Sequence, residues 1–183
     1  MFSTTLCYIE SRDHYLMLHR VKKEHDVNEG KWSGVGGKFL EGETPEDCLL
    51  REVREETGLT LLSWRFRGII RFEQTGYETE YMFLYTADAF RTADGMTYDP
   101  AKADGQQADD LPEPPVCSEG ILRWIPKSEI GTLSLWEGDR IFLRLLAQEA
   151  PIFSLRLRYA GDDLIEAVLD GRDLLADQQG RAH

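Results

Sequence analysis

Cysteine is scarce in this sequence. Cys7, Cys48 and Cys117 are the three in 183 residues, odd in number and far apart, with no CxxC pair. That argues against a disulfide framework or a structural zinc site and fits a reducing compartment. Positive charge is also short. Lys and Arg number 21 against 33 Asp and Glu, a formal net charge of −12. Such a surface repels polyanions, so no stable nucleic-acid complex is expected. A small anionic ligand stays possible where a metal or a local group of cations screens it. No apolar run approaches the ~20 residues that cross a bilayer. The start, MFSTTLCYIE, lacks the basic and long apolar regions of a signal peptide. The expectation is a cytoplasmic protein without a membrane partner, monomer or homodimer. The histidines, His14, His19, His25 and His183, show no metal-ligand spacing, and no Ser-His-Asp or Cys-His arrangement can be read.

What is present is enough for a core: 42% of residues are hydrophobic. STTLCYIE (3–10) and HYLMLHRV (14–21) read as a hairpin turned at Ser11-Arg12-Asp13. A loop with Asn28, Gly30 and Gly34 follows. Pro45 suits the first turn of a helix that runs to Thr57, with Thr44 as N-cap accepting from the Asp47 N–H and Gly58 as its stop. Leu49, Leu50 and Val53 form its apolar stripe. Strands are expected at 61–72, 80–89 and 121–126, a second amphipathic helix at 139–149, and a closing hairpin at 152–159 and 164–169. Residues 91–116 hold Asp94, Asp99, Asp104, Asp109 and Asp110 with four prolines, and read as a long acidic loop. The organisation expected is one domain over 1–170 and a polar C-terminal tail over 171–183. Strands mixed with two separated helices predict an α/β fold, α+β by some schemes.

GGKFLEGETPEDCLLREVREETGL (36–59) concentrates negative charge. On the expected helix Glu52, Glu55 and Glu56 fall at i, i+3 and i+4, so they share one face. Crowded carboxylates cost stability unless a cation compensates them, and hard oxygen ligands suit Mg²⁺ or Mn²⁺. Gly36 and Gly37 let the backbone approach a metal or a phosphate. Arg51 can orient a neighbouring carboxylate through its fork of N–H groups. A solvated acidic face is the bland alternative. Cys48 reads as a small core residue rather than a nucleophile.

The spacing carries more than the charge. Gly37, five residues, Glu43, seven residues, then Arg51-Glu52-Val53-Arg54-Glu55-Glu56-Thr57-Gly58-Leu59 match the signature Gx5Ex7REUxEExGU, where U is a bulky aliphatic. The sequence therefore resembles the Nudix hydrolases. The resemblance implies an α/β/α sandwich around a mixed sheet and Mg²⁺-dependent (Mn²⁺ is also used) hydrolysis of a nucleoside diphosphate linked to another group. It implies Glu52, Glu55 and Glu56 as metal ligands, with a backbone carbonyl at Gly36 or Gly37. It also implies Glu55 as the residue that positions or deprotonates water, and Glu43, Arg51 and Gly58 as parts of the loop–helix–loop frame.

KWSGVGGK (31–38), WEGD (136–139) and the terminal hairpin look like the MutT-type enzymes that cleave 8-oxo-dGTP to monophosphate and pyrophosphate. That resemblance implies a nucleotide as the small-molecule partner and nucleotide-pool sanitation as the role. It places Trp136 as the aromatic that stacks on a purine, where without the resemblance Trp136 reads as a core or interface aromatic. Asp139 either accepts from the purine edge or caps the following helix. A second acidic position is held by Gly138. Ser33 stands where mammalian members have a base-reading Asn. Glu119 is either a carboxylate approaching the metal or a solvated loop residue, and Lys38 either meets a phosphate or is a surface lysine. Lys22 and Lys23 either steer an anion or are solvated.

Two other functions compete. One keeps the chemistry with another substrate: an ordinary (d)NTP, a pterin triphosphate, a nucleotide sugar or a capped RNA end. The other is a non-catalytic nucleotide-binding regulator, against which the complete set of box carboxylates argues.

Overall fold

A computed structural model describes residues 1–21, 28–101, 111–114 and 116–179. Lys22, Lys23, His25, Asp104, Asp109, Asp110, Pro115 and His183 lie outside the described residues. Strand β1 (Phe2–Ser11) turns through Arg12 and Asp13, both at positive φ, into β2 (His14–His19). A short β3 (Trp32–Ser33) pairs with β2. Helix α1 covers Pro45–Thr57, followed by β4 (Thr60–Gln74) and β5 (Glu80–Arg91). Then come β6 (Thr97–Tyr98), β7 (Ile121–Pro126), a 3₁₀ helix (Lys127–Thr132) and α2 (Glu137–Ala147). The chain ends in β8 (Phe153–Ala160), β9 (Asp163–Leu169), β10 (Arg172–Asp173) and α3 (Leu174–Gln179).

The strands form one mixed sheet in the order β10-β9-β8-β4-β5-β1-β2-β3, with β6 beside β5 and β7 beside β2. β1 runs parallel to β5, and β4 parallel to β8; the other pairings are antiparallel. Side chains alternate across a strand, so each face buries its own set. On one face Cys7, Ile9, Leu16, Leu18 and Tyr85 pack under Leu49 and Val53 of α1. On the other, Tyr8, Met17, Leu84, Leu155 and Leu157 pack under Phe142, Leu143 and Leu146 of α2. This is the expected sandwich.

Helix α1 begins as its residues dictate. The Thr44 hydroxyl accepts from the Asp47 N–H (3.1 Å) and the Asp47 carboxylate accepts from the Thr44 N–H (3.0 Å). It ends at Gly58, whose φ of 68° allows its N–H to reach the Arg54 carbonyl at 2.9 Å.

Three expectations are corrected. Leu50 is 36% exposed, because the turn that points Leu49 and Val53 into the core points Leu50 outward. Part of the 91–116 stretch is built: β6 pairs with Phe90 and Arg91, Tyr98 stacks on Phe90, and the Trp124 indole donates to the Pro112 carbonyl. The segment after 170 is no frayed tail through Gln179. β10 adds to β9, and Leu174 and Leu175 pack against the α2-side core.

Candidate active site

The stretch Gly34–Lys38 lies along β1. Cys7 and Val35 exchange N–H···O bonds of 2.7 and 3.0 Å, and the Thr5 N–H reaches the Gly37 carbonyl at 2.9 Å. A side chain at Gly36 would place its Cβ 2.1 Å from the Thr5 carbonyl oxygen, so only glycine lets the loop lie this close. Its own N–H then donates to Glu56 Oε2 at 2.8 Å. The loop and the helix therefore meet at the buried carboxyl of Glu56, which is 7% exposed. Burial raises its pKa to about 8, and the charges of Glu119 and Glu52 push in the same direction, against the Gly36 N–H and Arg20.

Arg51 ties the frame. It donates to both oxygens of Glu43, at 2.5 and 2.8 Å, to the Lys38 carbonyl at 3.0 Å, to Glu52 at 2.6 Å and to Glu55 at 3.3 Å. Glu43 also accepts from the Leu40 N–H, and Arg51 holds its pKa down to about 2. Glu43 and Arg51 thus fasten the 38–43 loop to α1. Gly37 is shaped to Glu52, since a Cβ there would fall 2.5 Å from the carboxyl carbon.

A cleft of about 440 Å³ opens beside this frame. One end is formed by Gly36, Gly37, Lys38, Glu52, Glu119 and Arg20, the other by Leu6, Phe72, Met82, Trp136 and Asp139. Ser33 also lines it, with its hydroxyl donating to the Gly34 carbonyl at 3.0 Å. A second cleft, about 450 Å³, is bounded by Glu10, Asp88, Tyr98 and Lys127 and contains none of the box residues. The first is the candidate active site, because the chemistry-bearing side chains line it.

The site departs from expectation in several places. Glu55, the expected water-activating residue, does not line the cleft; its side chain is 61% exposed and paired with Arg51. Among the described residues no three His, Cys, Asp or Glu side chains are gathered into a ready metal cage. Glu52 and Glu55 turn to Arg51, and Glu56 to Gly36. The Gly37 carbonyl is already taken by the Thr5 N–H. Glu119 is no solvated carboxylate, for it pairs with Arg20 at 3.2 Å on the cleft wall. Lys38 lines the cleft with its ammonium over the Phe2 ring at 4.2 Å.

At the far end Trp136 is only 5% exposed, packed edge-on against Phe72 and Tyr159. Its indole N–H donates to Asn28 Oδ1 at 2.8 Å, and the Lys31 ammonium lies 4.9 Å from its ring centroid. Helix α2 starts with Trp136 as N-cap and no side-chain cap. Asp139 therefore sits inside the first turn, and its capping reading is overturned. Its half-buried carboxyl lines the cleft, and burial raises its pKa to about 7, opposed by Lys31 and Arg140. Gly138 presses on β8. Its N–H meets the Tyr159 hydroxyl at 2.7 Å, and a Cβ would fall 2.3 Å from Leu157 Cδ1. There is no room for a second carboxylate there.

Phe72, Met82, Arg20 and Glu80 also line the cleft and were not singled out from the sequence, and Asn28, read there only as a turn residue, lines it too. Only Glu80 leaves a sequence trace: the alternation Glu80, Met82, Leu84 puts a carboxylate on an otherwise apolar strand face.

Residues 2–146 match the family model described as the NUDIX domain. The chain belongs to the NUDIX family. Among Nudix relatives, a Danio rerio protein named oxidized purine nucleoside triphosphate hydrolase is 31% identical over 143 residues, 78% of this chain and 79% of that protein. The Mus musculus protein of the same name is 29% identical, covering 69% of each chain. The fold is similar to a crystal structure of the MutT protein from Bacillus halodurans, with a TM-score of 0.71 at 23% identity, covering 93% of this chain and 98% of that one. Membership of the Nudix family supports hydrolase activity on pyrophosphate bonds. No helix among the described residues is long and apolar enough to cross a membrane.

Proposed function

We propose that this Nudix protein hydrolyses nucleoside triphosphates to the monophosphate and pyrophosphate, with oxidised purine nucleotides such as 8-oxo-dGTP as its substrates and removal of them from the nucleotide pool as its role. The observation that carries the reading is a single cleft lined by Glu52 and Glu119 at one end, where the buried Glu56 lies behind Gly36, and by Trp136, Phe72 and Asp139 at the other. The carboxylate end suits Mg²⁺ or Mn²⁺. Burial, with the charges of Glu119 and Glu52 beside it, disfavours the charged form of Glu56, and a divalent ion is the counter-charge that relieves it. Glu52, Glu56 and the Gly36 carbonyl would hold it, with Glu55 joining once released from Arg51. When bound, the ion supplies charge for the phosphate oxygens and a more acidic water.

The chain's own residues do the rest. Lys38 and Arg20 meet the phosphates. A box carboxylate or Glu119 takes the water proton; Glu119 faces the cleft directly, whereas Glu55 must first swing in. Asp139 accepts from the purine edge, and Ser33 offers a short hydroxyl beside it. Trp136, at the aromatic end of the cleft, stacks on the base.

The test is pyrophosphate release with Mg²⁺, comparing kcat/KM on 8-oxo-dGTP and dGTP. A preference of tenfold or more, about 1.4 kcal/mol in transition-state binding, is expected. Equal values would remove the oxidised-base reading and leave a general Nudix triphosphatase. No release from any nucleotide would remove the catalytic reading altogether.

A further inference from the structure

Glu80 is a charged side chain in the cleft that the proposed chemistry does not use. It opens β5, on the same face as Met82 and Leu84, and is only partly exposed. One oxygen, Oε1, accepts from the Thr4 hydroxyl at 2.7 Å. Among the described residues no donor reaches the other oxygen. Burial raises the Glu80 pKa, while Thr4, Lys38 and Arg20 pull it down. A carboxyl kept in such a place at a cost, with one oxygen pinned by Thr4 and the other without a protein donor among the described residues, can receive a further hydrogen bond.

Its position narrows what that is. In the β4–β5 ladder Glu80 lies directly opposite Phe72, whose ring touches Trp136 at 6.1 Å between centroids. On the other side Thr4, its partner, bridges to Lys38 in the strand-like loop. Glu80 therefore stands between the aromatic end and the cationic end of the cleft. A carboxylate repels phosphate oxygens, so its partner is not the triphosphate. A hydrogen-bond donor on the nucleoside, held between ring and phosphates, fits that place.

We infer that Glu80 is a substrate-binding residue that selects nucleotides by accepting a hydrogen bond from the nucleoside, through a sugar hydroxyl or an amine on the base. The inference rests on the nucleotide-hydrolase reading above. Thr4 is the positioning residue: by pinning Oε1 it fixes the direction in which Oε2 accepts.

The experiment compares wild type with Glu80→Gln, which keeps the shape and removes the charge. Initial rates are measured with Mg²⁺ on GTP, dGTP, 2′,3′-dideoxy-GTP and ITP. A hydrogen bond to a charged acceptor predicts a rise in KM of roughly tenfold or more on the donor-bearing nucleotides, with kcat within about twofold. The penalty should vanish on the analogue that lacks the donor: the dideoxy nucleotide if the sugar is held, ITP if the base amine is held. An equal effect on all four nucleotides, or none, overturns the inference and leaves Glu80 a structural partner of Thr4. Should Glu80→Gln fold poorly, Glu80→Met, which suits the neighbouring Phe72 and Met82, takes its place in the same comparison. If the wild-type protein hydrolyses nothing, the hydrolase reading has failed separately. Binding of the same four nucleotides, followed by tryptophan fluorescence, then tests Glu80 on the same criterion.

Discussion

Gly37 and Glu52 are fitted to each other: a methyl group on Gly37 would stand 2.5 Å from the Glu52 carboxyl carbon. The glycine is required by a side chain 15 residues on, not by its own backbone angles. Gly37→Ala should swing the Glu52 carboxyl away from the loop. We expect kcat/KM to fall about tenfold or more, with little change in melting temperature because the displaced group is near the surface. An unaltered rate would mean that Glu52 is not needed where it lies.

Arg51 acts through its fork, not through charge alone. It spans Glu43, Glu52, Glu55 and the Lys38 carbonyl at once. A lysine ammonium has three N–H donors on one nitrogen and cannot span these partners at once. Arg51→Lys should therefore lower activity by roughly ten- to hundredfold, as expected for a residue that orients ligands from behind. Steady-state kinetics at several Mg²⁺ concentrations would check it. Full activity in the lysine variant would show that the fork is unnecessary.

Helix α1 depends on its first turn. Thr44→Ala removes the side-chain half of the capping box and should destabilise the protein by about 1 kcal/mol, read from urea unfolding. A loss well under 0.5 kcal/mol would mean that Pro45 and packing alone set the helix start.

Gly138 is tightly enclosed by Leu157 and Tyr159. Gly138→Ala overpacks that contact and should cost about 1–3 kcal/mol. An unfolding midpoint equal to wild type would show that β8 yields easily, and a second carboxylate could then be engineered beside Asp139.

Asp139 gives a pH signature. Its pKa is raised from 3.8 to about 7, chiefly by burial, so the folded state holds the proton more tightly than the unfolded chain. The associated stability is full below about pH 4 and is lost as pH rises through 7. The slope is at most about 1.4 kcal/mol per pH unit, less because the carboxyl is half-buried. Melting curves of Asp139→Asn and wild type should diverge from pH 5 to pH 8, the variant gaining. Parallel curves would place the Asp139 carboxyl in contact with water.

The box, its helix, the Thr44 cap and the Gly58 stop were legible because they are local. Hydroxyl, carboxylate and glycine act within three or four residues of one another there, and spacing alone specifies the geometry. The hairpins were readable for the same reason. The parallel pairing of β1 with β5 is not local. It brings Thr4 to Glu80 across 76 residues, and no periodicity announces that. The same holds for Trp136 and Asn28, joined across 108 residues, and for Arg20 beside Glu119. Leu174 and Leu175 sit in a segment too short and polar to be read as structured until the core offers them a surface. The sequence by itself determined which carboxylates share a helix face and which loop precedes them. Tertiary structure decided what those carboxylates meet, because the loop is laid along β1 by glycines that tolerate the close approach, and its Gly36 N–H then reaches Glu56 across 20 residues of chain.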